Sequence, residues 1–139
     1  MKRNPIVIID DDEEDLILLK DAANSLQIPN EVVAFEDTFK ALAFLRQEDT
    51  QPFFILCDIN MQPINGIDLR EEMFKDERLR LKSIPFLFLS TGDSHQDIKK
   101  AYSLAVQGYF KKPESFEGIK KMLQCIINYW GDCRHPNSS

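Results

Sequence analysis

The sequence predicts an α/β protein built on a doubly wound parallel sheet. Strand-like apolar runs alternate five times with helix-like periodic segments, and no linker separates the units. Three of the runs are apolar at nearly every residue, as expected of strands covered on both faces. Polar, chemistry-bearing residues gather where the runs end, which is where ligands bind in such sheets.

The elements follow in order. PIVIID (5–10) is a short apolar run ending in acid. From Asp12 the period changes: Leu16, Leu19, Ala23 and Leu26 mark an amphipathic helix whose acidic first turn suits the helix dipole, and Ile28-Pro29-Asn30 closes it. EVVAF (31–35) reads as the second strand, and Phe39, Leu42, Ala43 and Arg46 mark the second helix. PFFILCD (52–58) is the third strand, followed by a helix marked by Leu69 and Met73 and running to about Asp76. IPFLFLS (84–90) is the fourth strand, and Ile98, Ala101, Tyr102 and Ala105 mark the fourth helix. VQGYFK (106–111) is a weak fifth strand. Phe116, Ile119, Leu123, Ile126, Ile127 and Trp130 mark the fifth helix. Residues 1–130 thus form one domain, and 131–139 read as a frayed polar tail.

Composition narrows the function. The net charge of −6 argues against nucleic acid as a direct partner, because phosphate backbones select a basic face. No apolar run approaches the roughly 20 residues of a membrane span. The basic start MKRNP precedes too short an apolar run for a signal peptide. Cys57, Cys125 and Cys133 are odd in number and far apart, which fits reduced thiols in a cytoplasmic protein.

The strand ends carry Asp10-Asp11-Asp12, Asp58, Ser90-Thr91 and Lys111-Lys112-Pro113. If the first and third strands are neighbours, at least three carboxylates share one small site and need a cation. Oxygen ligands without His or Cys favour Mg²⁺, which leaves room for phosphate oxygens. A lysine and a hydroxyl opposite complete a phosphoryl site, and an aspartate can itself accept the group. Each feature alone has a plainer explanation. Asp11, Asp12 and Glu13 suit a helix cap, Ser-Thr-Gly-Asp (90–93) suits a turn, and Lys-Pro suits a helix boundary. Their joint placement at four strand ends favours the phosphoryl reading.

These residues resemble the receiver domain of bacterial two-component response regulators. The resemblance rests on IVIIDDDEED, ILCDINMQPINGIDL, IPFLFLSTG and AYSLAVQGYFKKP, and covers roughly residues 5 to 130. It implies a flavodoxin-like (βα)5 sheet of order 2-1-3-4-5. It makes Asp58 the phosphoacceptor, Asp11 a direct Mg²⁺ ligand, Asp10 a ligand through water, and Asn60 a ligand through its backbone carbonyl. Ser90 is implied to hydrogen-bond the phosphoryl oxygen and Lys112 to pair with it. Tyr109 is implied as the aromatic switch whose ring turns inward when the Ser90 hydroxyl moves, and Lys112-Pro113 as a peptide bond often cis in the family.

The resemblance further implies a histidine kinase or histidine phosphotransfer protein as donor. Output passes to a separate protein through the face of the fourth helix, fifth strand and fifth helix, with Lys99, Lys100 and Ser103 as contacts. Catalysis is limited to self-phosphorylation and autodephosphorylation, in a monomer or a phosphorylation-dependent homodimer. Two departures stand out. Gln62 replaces the usual proline four residues after the phosphoacceptor, with Pro63 following. Gly92, two residues after Ser90, offers no side chain to orient an attacking water, so the phosphoryl group is expected to be long-lived.

Two other functions compete. A phosphorylation-independent docking module would be free to lose some of Asp10, Asp11, Asp58, Ser90 and Lys112, and all five are present. A haloacid-dehalogenase-type phosphatase would use Asp10-x-Asp12, but Glu14 occupies the position of its hydroxyl or β-branched residue. His95 and His135 read as surface residues, Cys57 as a core thiol, and Tyr129 and Trp130 as packing aromatics.

Overall fold

Apolar residues on both sides of the strands build the sheet between two layers of helices. The computed structural model describes residues 4–92 and 94–136. The first residues of MKRNP, Asp93 of the expected turn, and the tail residues 137–139 lie outside them. The element order is β1 (Ile6–Ile9), α1 (Glu13–Ser25), β2 (Val32–Phe35), α2 (Thr38–Leu45), β3 (Phe54–Asp58), α3 (Gly66–Lys75), α4 (Glu77–Leu81), β4 (Phe86–Ser90), α5 (His95–Ser103), β5 (Gly108–Lys111) and α6 (Phe116–Asp132). All strand pairs are parallel, in the order β2-β1-β3-β4-β5.

Strand alternation divides the core in two. Ile6, Ile8, Phe54, Leu56, Leu87 and Leu89 face α1 and α6, meeting Leu16, Leu19, Ile119 and Leu123. Val7, Ile9, Ile55, Cys57, Phe86 and Phe88 face the other layer, meeting Leu42 and Leu45 of α2, Leu69 and Met73 of α3, and Ala101 of α5. Complete burial of β1 and β3 accounts for their nearly continuous apolar sequences.

Every helix opens with a capping side chain: Asp12, Asp37, Asn65, Asp76, Ser94 and Ser115 each accept a backbone N–H of the first turn. At the other end of α2, the Lys82 ammonium donates to the carbonyls of Leu45, Gln47 and Thr50. A cation there complements the helix dipole.

Several expectations are corrected. The third helix ends at Lys75, within a residue of its expected end, but Asp76 then caps a further, unexpected helix, α4. The expected fourth and fifth helices are therefore α5 and α6. On α2 the buried face is Ala41, Leu42 and Leu45, while Phe39 is 56% exposed. Tyr102 on α5 is also exposed, and Ala105 lies beyond the helix at φ 60°. Helix α6 continues through Gly131 and Asp132. His135 is buried rather than on the surface: its Nε2 meets the Phe53 carbonyl and its ring lies against Phe53 and Trp130. Aromatic neighbours that fold back on this segment outweigh its polar composition. Among the described residues the cis bond is Gln62–Pro63, and Lys112–Pro113 is trans.

Candidate functional site

Register brings the acids together. Ile9 pairs with Cys57 across β1 and β3, so Asp10 and Asp58 leave adjacent strand ends side by side. One oxygen from each of Asp10, Asp11 and Asp58 falls within 4.8 Å of the others. Asp12 takes no part in this group. It caps α1, with Glu13 in the first turn behind it, so the plainer explanation holds for these two acids and not for Asp11.

Asp10 is fully buried and Asp58 only 5% exposed. Burial raises the Asp58 pKa to about 6; the charges of Asp10 and Asp11 add to the rise, while Lys112 and the Asn60 N–H oppose it. Asp10 is raised for the same leading reason, although Lys112 and the Asp12 N–H bond to its carboxylate. Two carboxylates held in a desolvated pocket beside a third make a site that a cation would relieve. An all-oxygen donor set suits a hard divalent ion.

Lys112 enters from the end of β5, where its N–H donates to the Ser90 carbonyl. Its ammonium is 2.8 Å from Asp10 Oδ2, 2.7 Å from Asp15 Oδ2 and 3.8 Å from Asp58 Oδ2. Burial alone would lower its pKa. Hydrogen bonds to Asp10 and Asp15 and the charges of Asp10 and Asp58 reverse that, leaving it above the ordinary lysine value. Ser90 is 3% exposed at the end of β4, and its Oγ accepts the Gly92 N–H at 3.2 Å.

The loop after β3 shapes the site. Gly66 N–H donates to the Ile59 carbonyl, and a Cβ on Gly66 would lie 2.4 Å from the Asp58 carbonyl oxygen. Only glycine allows this close approach. Gln62 N–H donates to Asp11 Oδ2 at 2.9 Å. Asn60 is exposed two residues beyond Asp58. Tyr109 is half-buried on β5, with its ring edge toward Phe88, and its phenolic oxygen is buried without a hydrogen-bond partner.

All the expected site residues therefore lie at the carboxyl edge of the sheet or on the strand leading to it. Sequence reasoning missed Asp15, which reads as an ordinary first-turn acid, and the Gln62 backbone contact, which leaves no side-chain signature. Cys57 is a core thiol as expected, its pKa pushed well up by burial and by the charges of Asp58 and Asp10.

A flavodoxin-like parallel sheet with clustered acids, a hydroxyl and a lysine at its carboxyl edge defines the class of protein. Residues 6–124 match the response regulator receiver domain, and the chain belongs to that family, whose members act in two-component signalling. The probable methanogenesis regulatory protein FilR2 of Methanothrix harundinacea is 30% identical, over 90% of this chain and 82% of that one. Chemotaxis protein CheY-3 of Vibrio cholerae is 30% identical, over 91% and 93%. Among solved structures, the phosphorylated cyanobacterial phytochrome response regulator RcpA aligns with a TM-score of 0.82 at 28% identity, covering 94% of this chain and 95% of that one. The Mn²⁺-bound form of response regulator Rcp1 aligns at 0.79 and 27%, covering 94% and 96%. Among the described residues, no helix is long and apolar enough to cross a membrane.

Proposed function

We propose that this receiver domain accepts a phosphoryl group on Asp58 and works as a switch in a two-component phosphorelay. The observation that carries the reading is the setting of one carboxylate. Asp58 belongs to a three-acid cluster and has the Lys112 ammonium, which is bonded to Asp10 of that cluster, 3.8 Å away. An aspartate so placed is a nucleophile with its charge compensation at hand.

Asp58 Oδ forms the new P–O bond while the bond from phosphorus to the donor breaks; the donor is a phosphohistidine of a kinase or phosphotransfer protein. Lys112 and the Ser90 hydroxyl then contact the phosphoryl oxygens. Asp11 and Asp58, with the Asn60 carbonyl and with Asp10 through water, would hold Mg²⁺. When bound, the ion neutralises the carboxylates and the transferring oxygens. The chain catalyses only its own phosphorylation and hydrolysis. The chain works in the cytoplasm, and output passes through the α5–β5–α6 face to a separate protein, by a shift in conformer populations in which Tyr109 takes part. The state is monomeric or, once phosphorylated, homodimeric.

Incubation with acetyl phosphate and Mg²⁺, followed by intact-mass measurement, tests the reading. A gain of one phosphoryl group, absent with EDTA and in Asp58→Asn, is expected. No gain would favour a docking module that works without phosphorylation.

A further inference from the structure

Asp15 lies outside the set of residues used above, yet it makes the shortest contact to Lys112. An ammonium has three N–H donors. Two are committed, to Asp10 Oδ2 at 2.8 Å and to Asp15 Oδ2 at 2.7 Å. Asp58 Oδ2, at 3.8 Å, is beyond hydrogen-bond reach. The lysine is thus drawn toward β1 and the first turn of α1, away from the phosphoacceptor.

The two anchors differ. Asp10 is fully buried and also accepts the Asp12 N–H. The Asp15 side chain is 39% exposed and bonds Lys112 from the rim of a groove that also holds Thr91 and Phe116. Charge acts in the same direction as geometry. Asp10, Asp15 and Asp58 already face a single ammonium, and a phosphoryl group would add further negative charge.

We infer that Asp15 is a positioning residue that holds Lys112 off Asp58 and competes with a phosphoryl group for that ammonium. The inference rests on the phosphoryl reading of Asp58. Asp15 biases the domain toward its unphosphorylated arrangement. Its removal frees one ammonium donor and one unit of opposing charge for the phosphoryl oxygens.

Beryllofluoride, a tetrahedral mimic that binds a carboxylate oxygen, is the probe. Its affinity in Mg²⁺ is read by fluorine NMR for wild type, Asp15→Asn, Asp15→Ala, Asp15→Glu and Asp58→Asn. The Lys112 side-chain resonances are read in the same unliganded proteins. Asp15→Asn and Asp15→Ala are expected to bind about five-fold tighter, as for loss of one partly screened competing ion pair. Their Lys112 resonances shift, and Asp15→Glu restores wild-type affinity. Unchanged or weaker binding by both neutral variants overturns the inference, as does tightening that Asp15→Glu shares. A wild-type chain that binds no beryllofluoride, or an Asp58→Asn variant that still binds it, overturns the phosphoryl reading and the inference with it.

Discussion

Gln62 donates its backbone N–H to Asp11 Oδ2 at 2.9 Å, a bond that the family's usual proline could not make. The departure in sequence therefore has a structural use. It orients one carboxylate of the acid cluster from the far side of the loop, as outer hydrogen bonds orient metal ligands. Gln62→Pro is expected to weaken Mg²⁺ binding about ten-fold in calorimetry. Gln62→Ala, which keeps the N–H, should bind as wild type does. Equal affinity in a folded Gln62→Pro variant would show that the bond does not organise Asp11.

Burial and the charge of Asp10 raise Asp58 from 3.8 to about 6, which links stability to pH. A raised carboxyl favours the fold when protonated. Its contribution is complete below about 3.8 and is lost as pH rises through about 6. Asp58→Asn should therefore be more stable than wild type above pH 6 without divalent ions, by on the order of 1–3 kcal/mol. The difference should close toward pH 4 and narrow in Mg²⁺. Denaturation of both proteins across this range, in EDTA, is the measurement. A pH-independent difference would contradict the assignment.

The Tyr109 hydroxyl is buried without a hydrogen-bond partner. Such a group costs free energy that phenylalanine would not. Tyr109→Phe should stabilise the unphosphorylated domain by about 1 kcal/mol in urea unfolding. A loss of similar size would mean that the hydroxyl has a partner in solution.

Among the described residues beyond its chain neighbours, a Cβ on Gly92 would meet only Ser90 Oγ, at 4.0 Å. Gly92→Glu should fold normally and place a carboxylate beside the phosphoryl site. Decay of the phosphorylated form, followed by intact mass, should then be faster than in wild type. No acceleration would count against the water-orienting role assigned to this position.

The placement of Asp10, Asp11, Asp58, Ser90 and Lys112 at one edge was legible because each sits at or just past the end of an apolar run, and strand ends converge in a parallel sheet; the strand order came from the family resemblance. Helix α4 was not legible, because one buried residue, Leu79, gives no periodicity in so short an element. Phe39 is hydrophobic but not buried, because the core face of its helix is Ala41, Leu42 and Leu45. Asp15 and His135 were hidden for a common reason. Their partners, Lys112 and Phe53, lie 97 and 82 residues away, and only the tertiary fold brings each pair together.

The most direct test of the central claim is to locate the phosphoryl group itself. An aspartyl phosphate can be reduced with borohydride to homoserine, which peptide fragmentation places in the sequence. After treatment with acetyl phosphate and Mg²⁺, homoserine should appear at position 58 and nowhere else. Homoserine at position 10, 11 or 15, or none in a protein that has gained phosphoryl mass, would contradict the assignment of Asp58 as the acceptor.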